Sequence, residues 1–309
     1  PHKWVFPAVT LAPGAYRVVF ASDKDRRSAA DELHTNFKLS AEGEFLGLYD
    51  NSLPPRLVSG LAPAFPPQPA DVAYGVTPDG TWAYFERPTP GAVNDMASVF
   101  DRELETPAFD PPRGFYDGPL YVRLASPDPQ AEIRYTLDGT EPTETNGRIY
   151  SDPIMLVQPR AIRAAAFRPG YRRSPVATHS YLVNVPRARR SLPVVSIVGD
   201  PGESLYSPNG IMASVGGEYV DGLWQPVLPT DYHNPLVRGL ERPVSVEWID
   251  PRDNSGFQID CGIRFHGGED TRRRFQISDD WSIYRPYKPS FRLYFRGSYG
   301  ASKLTAPLF

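Results

Sequence analysis

The chain has 309 residues, of which 40% are apolar and 22% charged, with a formal net charge of -3 and a pI near 6.0. That balance suits a folded protein with a buried core and excludes a disordered charged tail, while the weak net charge offers no global field to attract nucleic acid or an anionic membrane. Cys261 is the single cysteine, which rules out an internal disulfide and leaves the compartment open, and the sequence has neither a signal-peptide pattern nor the apolar run of roughly 18 residues that a membrane span needs.

The length corresponds to about two or three compact units. The 35 prolines and 25 glycines point away from helix interiors and towards turns and strands, so a mainly β protein is expected. In chain order, Tyr16, Val18 and Phe20 alternate with Arg17 as in a half-buried strand. Helical spacing is confined to Ala29–Leu33 and Met96–Leu104, and the turn-rich Pro88-Thr89-Pro90-Gly91 precedes a stretch read as a linker over 93–105. Ile133, Tyr135 and Leu137 then alternate with Arg134, Thr136 and Asp138, and Asp138-Gly139 marks a hairpin turn. A second linker is read at 184–191, where Pro186-Arg187-Ala188-Arg189-Arg190 separates two apolar strands. Val244, Val246 and Trp248 oppose Ser245 and Glu247, and Phe291, Leu293 and Phe295 oppose Arg292, Tyr294 and Arg296. Both ends, Pro1-His2-Lys3-Trp4 and Pro307-Leu308-Phe309, fall within apolar pattern and read as cuts inside domains.

Candidate chemistry is sparse. Arg187–Arg190 and Arg272-Arg273-Arg274 are weighed as anion patches and read instead as solvated charge, because they are short and lack interleaved aromatics. His34 has no His or Cys at metal-ligand spacing, so neither a metal site nor a general base is assigned to it. The acidic residues Asp250–Asp253, Asp270, Asp279 and Asp280 fit no EF-hand, and no Walker, zinc or Gly-x-Ser-x-Gly pattern occurs. No catalytic residue and no metal is therefore expected.

Three resemblances add to this reading. Trp4-Val5-Phe6-Pro7, Leu11 to Ser22, Leu33 to Ser40, Gly43 to Tyr49, Asp71 to Gly75 and Pro88 to Ala92 resemble a lamin-tail domain. The resemblance implies an immunoglobulin-like sandwich over 1–92 that lacks its first strands and leaves a sheet edge open to pairing. Pro107 to Asp110, Gly114-Phe115-Tyr116, Ala131 to Thr143, Ile162-Arg163-Ala164 and Phe167 to Tyr171 resemble the small C-terminal sandwich of chitobiase and β-hexosaminidase enzymes, over 106–183. Tyr116, Tyr135 and Tyr171 are the sugar-stacking candidates there, weighed against a role as core or strand-surface aromatics, which is the favoured reading.

Leu192 to Val198, Glu241 to Glu247, Cys261 to Gly268, Lys288 to Arg296 and Ser302-Lys303-Leu304 resemble the opening of a CotH kinase-like domain, over 192–309. That resemblance implies a partial α+β kinase-like N-lobe after the tandem immunoglobulin-like sandwiches. It also implies a nucleotide-phosphate region at Lys288, Arg264, Gly267 and Gly268, with ATP and magnesium used by a longer parent protein whose catalytic acids lie outside this chain. The family's paired lysines read here as Lys288-Pro289. The expected role is a non-catalytic scaffold or adhesion element, extracellular or at the bacterial cell surface. Its expected partners are other surface proteins or glycans, with assembly through sheet edges and with neither nucleic-acid binding nor membrane insertion.

Overall fold

The computed structural model describes residues 3–69, 71–276 and 289–306 and divides into two compact units, Pro1–Arg102 and Glu103–Phe309. It is mainly β, as the proline, glycine and period-two patterns require.

The first unit is built from short strands. β1 (Val19–Phe20) pairs in parallel with β2 (Leu33–His34), β3 (Leu46–Tyr49) and β4 (Leu57–Leu61) form an antiparallel hairpin, and β5 (Ala73–Val76), β6 (Trp82–Phe85) and β7 (Val99–Phe100) form an antiparallel sheet. Leu33, Phe65, Phe85 and Phe100 are its buried apolar residues. Neither helical candidate is a helix. Ala29 and Ala30 form a turn before β2, and Met96–Ser98 is a single 3-10 turn capped by the Asp95 carboxylate, which accepts from the Ala97 amide. Five to nine residues do not repay helix nucleation, whereas Val99 gains a strand partner in Phe85.

The second unit starts with β8 (Ala108–Asp110), β9 (Gly114–Tyr116), β10 (Leu120–Ala125), β11 (Glu132–Thr136), β12 (Arg148–Ile149), β13 (Ile154–Leu156), β14 (Arg160–Phe167) and β15 (Ala177–Val183). These make a three-stranded sheet, β13-β10-β8, and a five-stranded sheet, β12-β11-β14-β15-β9. Val122, Leu124, Ile154 and Leu156 from the first sheet pack on Ile133, Ile162, Ala164, Tyr181 and Val183 from the second, giving a β-sandwich.

Beyond it come β16 (Val194–Val198), β17 (Ser214–Val215), β18 (Glu218–Val220), β19 (Leu223–Gln225), β20 (Tyr232–His233), β21 (Arg242–Ile249), β22 (Gly256–His266), the short helix α1 (Glu269–Arg273) and β23 (Ser290–Tyr294). A four-stranded antiparallel sheet, β16-β21-β22-β23, carries Val244, Val246, Cys261 and Ile263 on one face, where they pack with Ile211, Met212 and Phe275.

The opposite face of that sheet meets the outer face of the sandwich, and the contact is polar. Thr178 and Ser180 of β15 are buried, as are Ser245 and Glu247 of β21. The Thr178 amide donates to Gln258 Oε1 at 3.1 Å and the Ser180 hydroxyl meets the Ser196 hydroxyl at 2.7 Å. From 103 to 309, then, the chain is one body whose two halves share a hydrogen-bonded seam.

Candidate functional site

Of the residues expected to meet a phosphate, Arg264, Gly267 and Gly268 sit at one end of β22. Lys288 lies outside the described residues. Arg264 donates from Nε to Glu241 Oε2 at 2.7 Å, and Arg296 donates from Nε to Glu241 Oε1 at 3.0 Å. Both guanidiniums also lie over the Tyr294 ring, at 4.3 and 5.2 Å from its centroid. Burial alone would raise the Glu241 carboxyl, but hydrogen bonds from Tyr299, Arg264 and Arg296 outweigh it and hold the group below the usual glutamate range. Two guanidiniums on one carboxylate leave this cluster with one surplus positive charge. Gly267 follows with φ +145, a conformation that favours glycine, and a side chain at Gly268 would meet nothing within 4 Å. The backbone beside the cluster is therefore open. Glu241, Tyr294 and Arg296 lay within the quoted sequence blocks, but no spacing rule joins Glu241, just before β21, to Arg264 on β22 and Arg296 just after β23.

The three tyrosines do not form one platform. Strands β14 and β15 lie between β11, which carries Tyr135, and β9, which carries Tyr116. Tyr116 donates from its hydroxyl to the Pro112 carbonyl at 2.7 Å, and both Tyr116 and Tyr135 pack against the sandwich core. Tyr171 lies under the Arg168 guanidinium, 4.2 Å from its ring centroid.

Four buried charged side chains meet in the polar seam, which sequence reasoning did not single out. The Glu247 side chain is fully buried and accepts from the Ser180 amide at 3.1 Å and from the Ser180 hydroxyl. Arg113 Nη1 approaches Glu247 Oε1 to 3.3 Å in an ion-pair contact without hydrogen-bond alignment. Burial pushes the Glu247 carboxyl up and the Arg113 guanidinium down, and on each partner it outweighs the attraction of the other. A second cation and a second anion, Arg163 and Asp260, are shifted in the same two directions, again chiefly by burial. Arg163 donates to the Gly139 carbonyl at 2.9 Å, and Asp260 accepts from Gln258 Nε2 at 3.1 Å. Opposite charges balance across the seam, and each is desolvated.

His34 of the first unit is buried, bonded through Nδ1 to the Ser22 hydroxyl at 2.7 Å and stacked on Phe20. Among the described residues, no group of three or more His, Cys, Asp or Glu side chains converges as a metal site.

A two-sheet sandwich joined through a polar seam to a further sheet defines a chain of β domains. Comparison with known families agrees at that level: the family model described as Fn3 associated matches residues 122–181, from β10 to β15, which points to an immunoglobulin- or fibronectin-like β domain. No curated protein matches the chain.

Proposed function

We propose that this chain is a non-catalytic scaffold or adhesion element of a bacterial extracellular or cell-surface protein, making contacts to proteins or glycans through its loops and sheet edges. The observation that carries the reading is the charge-balanced seam. Arg113, Arg163, Glu247 and Asp260 are spent on holding a sandwich with an Fn3-associated match against a second sheet. A rigid body of that kind presents edge strands, among them β8, β12, β13, β16 and β23, at fixed positions for strand addition. Crosslinking of the purified chain on bacterial cell surfaces, with glycan-array binding and self-association measured in parallel, tests it. Specific capture of a surface protein, a glycan or a second copy is expected, and failure of all three would refute the role.

A second reading takes the chain as the targeting half of a CotH-type atypical kinase that uses ATP and magnesium. It is favoured by the Glu241–Arg264–Arg296 cluster beside the open backbone of Gly267 and Gly268. Phosphate transfer by the full-length parent, abolished in Lys288→Ala, is its expected result, and unchanged transfer removes Lys288 from the mechanism.

A further inference from the structure

Between the β18–β19 hairpin, the turn at Asn234–Leu236 and α1 lies a groove of about 400 Å³, within the range of small-ligand sites. Its lining divides by chemistry. Trp224, Pro226 and Leu236 supply apolar surface, and Arg238, Arg272 and Arg273 supply three guanidiniums against the single carboxylate of Glu269. Arg238 and Glu269 are only loosely paired, at 3.9 Å, and both are largely exposed. Arg272 reaches no carboxylate among the described residues: its Nη1 makes a long contact to the Pro235 carbonyl at 3.5 Å and its Nε is buried without a partner.

The walls are braced. The Arg272 carbonyl is in hydrogen-bond contact with His233 Nε2 at 2.8 Å, the His233 ring stacks on Trp224 at 5.3 Å, and Trp224 Nε1 donates to the Gly216 carbonyl at 3.0 Å. Arg272 and Arg273 are thus presented from a fixed frame, while Arg274 is exposed.

We propose that this groove binds a small phosphomonoester carried on an apolar or aromatic body. A dianion matches the surplus of two positive charges, guanidiniums match phosphate oxygens in bidentate geometry, and the Trp224–Pro226–Leu236 surface takes the organic part. Calorimetric titration of the whole chain with phenyl phosphate, inorganic phosphate and phenol tests both halves of the claim. Phenyl phosphate is expected to bind most tightly, and Arg273→Gln to weaken it about 10-fold or more, as loss of a charge-assisted contact does. Arg274→Gln, which alters an exposed arginine outside the lining, is expected to leave binding unchanged. Arg238→Gln gives a second rim variant, with circular dichroism confirming that each variant folds. The proposal is overturned if phenyl phosphate does not bind at millimolar concentration, if it binds no better than inorganic phosphate, or if folded Arg273→Gln and Arg238→Gln both bind as the parent does.

Discussion

Replacing Glu247 with leucine tests whether the polar seam holds the second unit together. The substitution removes the countercharge of Arg113, whose side chain is 13% exposed, and strips the Ser180 amide and hydroxyl of their acceptor. Leaving one partner of a buried ion pair alone costs about 3–5 kcal/mol. Replacing both, as Glu247→Leu with Arg113→Met, removes the orphaned charge and is expected to recover most of that loss. Cys261 is a built-in reporter: it lies on β22 opposite Val244 of β21, is fully buried, and has its thiol pushed up to about 12 chiefly by burial. Labelling by a thiol reagent therefore requires the sheet to open. When opening is fast relative to labelling, the rate follows the opening free energy. Glu247→Leu should then label roughly 100- to 1,000-fold faster or more, at about 1.4 kcal/mol per tenfold, and the double variant within about tenfold of the parent. Equal rates for the single variant and the parent, or strictly additive losses in the double variant, would refute a structural role for the pair.

Three further outcomes follow from the same geometry. His179, stacked on Phe109 at 4.1 Å and accepting from the Arg113 amide, is held down to about 3 by burial and then by the Arg113 charge. Its folded value lies below the ordinary 6.5, so its contribution is full above about pH 6.5 and is lost as pH falls towards 3. Ring resonances that stay neutral at about pH 5 are expected by NMR, and a midpoint near the ordinary histidine value would contradict the burial argument. Glu247 runs the other way: its raised value makes stability fall as pH rises from the ordinary 4.5 through its folded value, and Glu247→Gln should flatten that segment of a pH series of denaturant melts. Asn254→Ala removes the acceptor of the Phe115 amide, a bond of 2.9 Å that stands in for a strand partner of β9, and should cost about 1–3 kcal/mol by denaturant unfolding; a loss within error would show that water replaces the amide.

Much of the fold was legible because alternation reports which side chains share a face. Val244, Val246 and Cys261 do share the apolar face of one sheet, and Ser245 and Glu247 do point the other way. Alternation does not report what each face meets. A polar face ordinarily points to solvent, yet here Ser245 and Glu247 are buried against β15, whose Ser180 is 67 residues from Glu247 in the chain. Asp138-Gly139 does bend the chain from local causes, since Gly139 has φ +89 and Asp138 Oδ1 accepts from the Thr140 amide and hydroxyl, but it does not close the expected hairpin: residues 137–147 separate β11 from its antiparallel partner β12. The Arg272-Arg273 groove was not readable, since its apolar lining comes from Trp224 and Pro226 at β19 and from Leu236, distant in the chain from the arginines.

The polar seam also decides what kind of connection the second unit makes. Apolar sheet packing is non-directional, so an apolar contact between sandwich and sheet tolerates sliding with little loss. Hydrogen bonds require alignment, and here the Ser180 amide must meet Glu247 while the Thr178 amide meets Gln258, two residues along the same strand β15 and on two neighbouring strands, β21 and β22. A shift of one residue along β15 would take the Ser180 amide and hydroxyl away from Glu247 and the Thr178 amide away from Gln258. The cost of losing hydrogen bonds to a buried carboxylate favours one register of the two sheets, which the desolvated ion pair, weak in net energy, does less well. The rigidity on which the scaffold reading depends thus comes from the directionality of the seam rather than from the area it buries.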